Sequence, residues 1–250
     1  MAGHSKWSKV KRSKGALDVK RGMLFSKLSK EILVAAKMGG GNPALNHRLR
    51  AAIESARAQS MPSDNIERAI KKATGELASA DVEEITYEGY APGGVALLVE
   101  TATDNRNRTA ADLRSIFTKN HGSLGGPGSV AYLFHRIGHV MLAPPVSEDF
   151  LMDVAVGAGA EDYVDDGDMI IVKTPPDRLY AVSSALRDRG VEPVSQKLVY
   201  EASTLVNVMD VETGRQVLRL CDALEENEDV LAVHSNFDLP DDLISRLQEY

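Results

Sequence analysis

Cysteine and aromatic residues are scarce in this chain. One of its 250 residues is a cysteine, Cys221, so no intramolecular disulfide can form and no cysteine-based metal site can be assembled. That usage fits a reducing compartment. Phe, Trp and Tyr make up 5% of the chain, with Trp7 the single tryptophan. The cores must therefore be built from Val, Ile, Leu and Ala, and an apolar content of 43% is enough to bury them. No segment approaches the roughly 18 consecutive apolar residues of a membrane span. The lysine-rich start has no apolar stretch of the signal-peptide kind. Its basic, acid-poor character is shared with mitochondrial transit peptides, but from Gly3 onward it reads as mature protein, and the expected location is the cytoplasm.

The signatures of catalysis are missing too. The six histidines (His4, His47, His121, His135, His139, His234) show no HExxH or other metal spacing. His135 and His139 stand four apart, a spacing that serves on a helix but not in the strand expected there. Asp162 to Asp168 lacks the acid alternation and terminal Glu of a calcium loop, and reads as a hairpin turn. The glycine-rich loop Gly122 to Ser129 is not followed by Gly-Lys-Ser/Thr and is no Walker loop; it is a flexible connection or a set of backbone amides offered to a phosphate or a partner. No GxSxG, GxGxxG or SxxK element is suitably placed. Cys221 is expected to be a small core residue. The chain is read as a non-enzyme without cofactor or metal.

What the sequence does have is segregated charge. The formal net charge is −7. Residues 1–80 hold 16 Lys and Arg against 6 Asp and Glu, about +10, which leaves about −17 for the rest. A basic head on an acidic body points to a polyanionic partner: phosphates attract the head, while the body keeps the whole soluble.

Gly3 to Lys14 has no helical apolar stripe and reads as an extended basic arm. A helix is expected from about Ala16 to Met38, with Leu17, Leu24, Leu28, Ile32 and Ala35 on one face and Lys20, Lys27, Lys30 and Lys37 roughly opposite. Gly39 to Pro43 stops it. A second helix spans about Ala44 to Gln59, its apolar face made by Leu45, Leu49, Ala52, Ile53 and Ala56. A third starts at Pro62 to Asn65, with Asp64 and Glu67 spaced as a capping box, and closes with Lys71 and Lys72 before Gly75.

After residue 81 the period changes to two. Ile85 to Tyr90 and Val95 to Val99 read as strands around Ala91 to Gly94. A polar loop, Asp104 to Thr109, enters a helix ending near Asn120, and Val130 to Phe134 reads as a strand. From His139 to Tyr200 the order is strand, helix (Ser147–Val156), strand, turn at Asp166-Gly167, strand (Met169–Lys173), helix (Asp177–Arg189), strand. That is the βαββαβ order of a ferredoxin-like unit. A strand (Leu205–Met209), a helix (Val211–Glu226) and a strand (Val230–Phe237) follow. The expected architecture is α+β in three domains. Residues 1–80 form a basic arm and three-helix head. Residues 81–137 with 201–250 form a discontinuous middle sandwich. Residues 138–200 form a ferredoxin-like sandwich inserted in it.

The nucleic-acid-binding candidates follow from charge. In the arm, Lys6, Lys9, Lys11, Arg12 and Lys14 can neutralise phosphates, and Trp7 is either a base-stacking ring or a hydrophobic anchor. Lys20, Arg21, Lys27, Lys30 and Lys37 form an expected basic helix surface, extended by Arg48, Arg50 and Arg57, with too few acids for i,i+4 pairing. In Asp104-Asn105-Arg106-Asn107-Arg108-Thr109, Arg106 and Arg108 are placed to clamp phosphate, or the segment is a helix cap with Asp104 pairing locally.

Assembled in order, these motifs resemble the YebC family. The resemblance rests on Gly3–Trp7 (GHSKW), Phe25–Leu28, Ala35–Gly41, Asn46–Ala52, Met61–Ile70, Tyr87–Gly94, DNRNRT, Gly128–Phe134, Asp222–Glu225 and Asn236–Asp238. It covers essentially the whole chain, with variable positions at Asn120 to Gly122 and Gly126-Pro127. The resemblance implies an N-terminal helical domain followed by two α+β domains, a cytoplasmic location and a role in gene expression. Many members are described as probable DNA-binding transcriptional regulators, a mitochondrial relative activates translation of cytochrome c oxidase, and bacterial members are connected with ribosomes.

Two readings therefore stand: a DNA-binding transcriptional regulator, and an RNA- or ribosome-binding translation factor. The Gly-Gly-Gly-Asn-Pro link is not the tight turn of a helix-turn-helix. A basic head on an acidic body suits docking on RNA, where shape and phosphates dominate. A protein-interaction module is the third reading. No membrane or small-molecule partner is indicated.

Overall fold

The computed structural model describes residues 20–78, 81–165 and 167–248. It is an α+β structure with helices first and two antiparallel four-stranded sheets after them. The elements are α1 (Lys20–Gly39), α2 (His47–Ala58), α3 (Ser63–Ala73), β1 (Glu83–Ala91), β2 (Val95–Thr103), α4 (Arg106–Lys119), β3 (Ser123–Leu124), β4 (Phe134–Leu142), α5 (Glu148–Phe150), β5 (Asp162–Asp165), β6 (Ile170–Thr174), α6 (Leu179–Asp188), β7 (Ser195–Ala202), β8 (Val206–Asn207), α7 (Val211–Glu225), β9 (Val230–Ser235), β10 (Phe237–Asp238) and α8 (Asp241–Gln248). Among the described residues no helix is long and apolar enough to cross a membrane.

Contacts divide the chain into two units. The first takes the described residues up to Val34, Ala78–His135, and the chain from Glu201 on; the second takes Ala35–Leu77 and Arg136–Tyr200. Within α1 the division falls between Val34 and Ala35, and α2 and α3 belong to the second unit.

In the first unit the strand order is β3-β1-β2-β9. β1 and β2 form a hairpin in register from Glu83↔Thr103 to Ala91↔Val95. Its turn needs positive φ at Gly93 (76°) and Gly94 (75°), which residues without a Cβ adopt at little cost. β2 opens with Val95 to Val99, all buried, as a continuous apolar run in a central strand requires. Leu97, Val99, Leu113, Phe117, Leu220, Leu224 and Phe237 make the core, in which Cys221 is buried.

The second unit has strand order β5-β6-β4-β7, with β4 antiparallel to β6 from Gly138↔Thr174 to Leu142↔Ile170. The chain order is βαββαβ, so the layout is ferredoxin-like. Val140, Leu142, Leu151, Ile170, Val172, Val182 and Leu186 fill its core. The first sheet has the same layout, entered differently: β2, α4 and β3 correspond to β4, α5 and β5, and β9 to β7. The position held by β6 is filled by β1, which comes first in the chain.

Several expectations change. α2 starts at His47, not Ala44, because the Asn46 side chain accepts from Leu49 N and caps it; Leu45 falls outside and is 80% exposed. The capping box is not formed: Pro62 occupies the cap position of α3 without a side-chain bond, and Asp64 lies inside the first turn. Ala131–Leu133 is a 3-10 turn, and the strand begins only at Phe134. The helix expected over Ser147–Val156 is one α-turn continued as a π-helix, Leu151–Val156.

Gly89 in β1 is packed closely against the core of the first unit. A Cβ there would meet the Phe117 ring at 2.6 Å and the Ser123 carbonyl at 2.7 Å. Gly89→Ala should lower stability by about 1–3 kcal/mol through overpacking. Gly126→Ala, with open space around it, should stay within about 0.5 kcal/mol of wild type. Urea unfolding of the two variants checks the contrast.

Candidate nucleic-acid interface

The arm candidates Lys6, Trp7, Lys9, Lys11, Arg12 and Lys14 lie outside the described residues. Lys20 and Arg21 stand in the first turn of α1. Lys37 is exposed near its C-terminal end, and Arg57 is exposed in the last turn of α2.

Lys27 and Lys30 do not form the open surface expected of them. Lys27 Nζ donates to the Glu225 carbonyl. Lys30 Nζ donates to the Glu228 carbonyl at 2.8 Å and to Asp229 Oδ1 at 2.7 Å. The cause lies at the C-terminal end of α7, where unpaired carbonyls and the negative end of the helix dipole attract ammonium groups.

Arg108 is drawn to the same carboxylate. Its Nη2 donates to Asp229 Oδ2 at 2.9 Å and to Asp104 Oδ1 at 3.1 Å. Thr109 Oγ1 donates to Asp229 Oδ2 at 2.7 Å and lies 2.8 Å from Thr103 Oγ1. Asn105 caps α4, accepting from Arg108 N at 3.1 Å. The DNRNRT segment is therefore first a helix start built on an internal carboxylate. Arg106 is exposed on it, and its carbonyl accepts from Tyr87 Oη at 3.2 Å.

Burial pushes the Asp229 carboxyl up, but donation from Lys30, Thr109 and Arg108 more than reverses this and holds it at about 2. The Arg108 guanidinium is raised, chiefly by its hydrogen bond to Asp229. Asp229 was not a sequence candidate. It is one acid in the run Glu225 to Asp229, and only its partners, up to 199 residues away, distinguish it.

The glycine loop presents fewer amides than its sequence suggests. Glu88 Oε1 accepts from Gly128 N at 2.6 Å, and Oε2 from Val130 N and Ala131 N at 2.7 Å each. Burial raises this carboxyl's pKa, but the three N–H donations win and hold it below the ordinary Glu value. The amides of Gly128, Val130 and Ala131 thus already hold an anion of the chain itself.

In the second unit Arg50 is also fixed. Its Nε donates to the Pro43 carbonyl at 2.9 Å and its Nη2 to that of Ala44 at 2.7 Å. Asn46 Nδ2 donates to the carbonyls of Ala35 (2.7 Å) and Gly40 (2.8 Å), pinning the triple-glycine link. Half-buried Arg48 reaches Met38 Sδ with Nη1 at 3.4 Å. Among the described residues no three His, Cys, Asp or Glu side chains are grouped to hold a metal ion.

The sign of the Asp229 effect is fixed by its depressed pKa. Its stabilisation is fully present above the unfolded value of 3.8 and is lost as pH falls through about 2. Asp229→Asn should cost roughly 2 kcal/mol at pH 7. The gap from wild type should narrow between pH 4 and 2, as followed by urea unfolding at several pH values.

Comparison with known proteins agrees with this framework. A family model described as the TACO1/YebC protein N-terminal domain matches residues 5–76. A second, described as the TACO1/YebC second and third domain, matches residues 82–237. A Treponema denticola protein named "Probable transcriptional regulatory protein" is 52% identical over 242 residues, 96% of this chain and 98% of its own. A Rubrobacter xylanophilus protein of the same name is 52% identical over 249 residues, 99% of each chain. The crystal structure of a conserved hypothetical protein from Aquifex aeolicus is 47% identical with a TM-score of 0.83, covering 90% of this chain and 93% of that one. With both family models matched in order, and relatives that align from end to end, the chain belongs to the TACO1/YebC family.

Proposed function

We propose that this protein is a nucleic-acid-binding regulator of gene expression that acts by binding rather than by catalysis. The observation that carries the reading is the charge segregation, about +10 over residues 1–80 against about −17 over the rest. The names of the Treponema and Rubrobacter relatives support a regulatory role, and DNA is the partner those names suggest. RNA, including ribosomal RNA, is the alternative. One observation favours it: α1 and α2 are joined by a pinned glycine link of residues 40–46 rather than the tight turn that sets a recognition helix in the major groove. The protein works in the cytoplasm on this reading.

The contact residues divide into two groups. Lys6, Trp7, Lys9, Lys11, Arg12 and Lys14 in the arm, with Lys20, Arg21, Lys37, Arg48, Arg57 and Arg106, are the proposed contacts. Lys27, Lys30, Arg50 and Arg108, each donating to a carbonyl or carboxylate of the chain, are assigned to holding the framework.

The salt dependence of binding tests the arm. Replacing Lys6, Lys9, Lys11 and Lys14 together by Ala should reduce the slope of log affinity against log salt by about 3–4 on duplex DNA and about 3 on single strands. An unchanged slope removes the arm from the interface. Gradient fractionation of cell extract, with crosslinking and sequencing of bound DNA and RNA, separates the partners. Co-migration with ribosomes and ribosomal RNA crosslinks would support the RNA reading; promoter peaks without ribosome association would support the DNA reading.

A further inference from the structure

The surface at the start of α2 combines exposed apolar groups, an aromatic ring and cations. Met38 and Leu45 are 71% and 80% exposed, and Tyr180, in the first turn of α6, is 37% exposed. Exposed rings are notable in a chain with 5% aromatics. The Arg50 guanidinium carbon lies 4.1 Å from the Tyr180 ring centroid, held there by the two carbonyl bonds of Arg50. The His47 ring centroid is 5.6 Å from that of Tyr180, tilted by 42°. A Cβ on Gly39 would meet the Asn46 amide at 2.6 Å, so the loop between Met38 and His47 is packed closely against its own cap.

Charge points the same way. Residues 32–53 contain no Asp or Glu, yet include Lys37, His47, Arg48 and Arg50. On the α6 side, Asp177 sits against Arg178 at 3.9 Å. Nucleobases stack on Tyr and His rings and on Arg planes, while the phosphates of the same strand require cations and few acids nearby. Paired bases in a duplex are stacked on one another and offer no free face to such a ring.

From this juxtaposition we infer that His47 and Tyr180, with Arg50 positioning the Tyr180 ring, form a stacking site for an unpaired base of single-stranded RNA, with Arg48 beside it for the backbone. The inference rests on the nucleic-acid reading above and deepens it. It adds His47 and Tyr180 to the interface and gives the strand state that is bound.

The test uses the full-length protein, a short labelled single-stranded RNA and the same sequence closed into a hairpin duplex. Tyr180→Leu keeps an apolar side chain but removes the ring. It should weaken single-strand binding on the order of 5- to 150-fold, leaving duplex binding, salt slope and thermal midpoint at wild-type level. Tyr180→Phe should bind like wild type. In the wild-type protein, photocrosslinking with thiouridine-containing RNA should place adducts at Tyr180 or His47. The proposal is overturned if Tyr180→Leu binds the single strand normally. It is equally overturned if the variant loses both strands alike with a lowered midpoint, or if crosslinks map to neither residue. Wild-type protein that binds no nucleic acid at all sinks the broader reading as well. Arm-dependent binding indifferent to Tyr180 sinks the stacking site alone.

Discussion

The Asp229 carboxylate organises the first unit. A buried negative charge is costly, and it persists only where donors replace the water it has lost. Here the donors come from α1 (Lys30) and the first turn of α4 (Arg108 and Thr109), while Asp229 itself stands just before β9. Three segments far apart in sequence must converge for the charge to be tolerated. The geometry of the DNRNRT turn, the path of α1 and the start of β9 are therefore mutually dependent, and removing any one donor leaves the others facing an undercompensated carboxylate.

This arrangement changes how the basic head is understood. A count of lysines and arginines treats each as a phosphate contact, but internal anions compete for them. Asp229 takes Lys30 and Arg108, and the Glu225 carbonyl at the end of α7 takes Lys27. Glu88 takes the Gly128 amide of the glycine loop, and those of Val130 and Ala131 just after it, in the same manner. Motifs that resemble anion-binding sites in sequence can thus be anion-binding sites whose ligand is covalently part of the chain. The positive charge left for a partner is more localised than the summed charge of residues 1–80 suggests.

Periodicity made the hairpin of β1 and β2, the ferredoxin-like strand order of the second unit and helix α7 legible in the sequence. These elements are governed by local patterns that the core simply accepts. The failures came where two local signals competed. Ala44 and Leu45 continue the helical pattern, but Asn46 caps the helix and has two further bonds to make, so Leu45 is left outside. Asp64 and Glu67 have capping-box spacing, but Pro62 supplies the preset φ at the cap position. The site was less legible than the fold. Basic residues are visible as a class, yet Arg108 and Asp229 are 121 residues apart, and Tyr180 lies far along the chain from Arg50. No local pattern predicts which cations are consumed internally.

A chain of net charge −7 can bind a polyanion only if its repulsive part is kept out of range. At physiological ionic strength the screening length is about 8 Å, so acids of the body beyond one or two such lengths count little against a contact in an acid-free segment. Residues 32–53 are such a segment, bounded by Glu31 and Glu54, and Glu54 is itself occupied by Arg187 at 3.0 Å. Stacking adds affinity that salt does not screen, so a ring set against Arg50 reduces the number of phosphate contacts needed for a given affinity. Fewer phosphate contacts mean a shallower salt dependence, and binding then depends on unpaired bases rather than on charge alone.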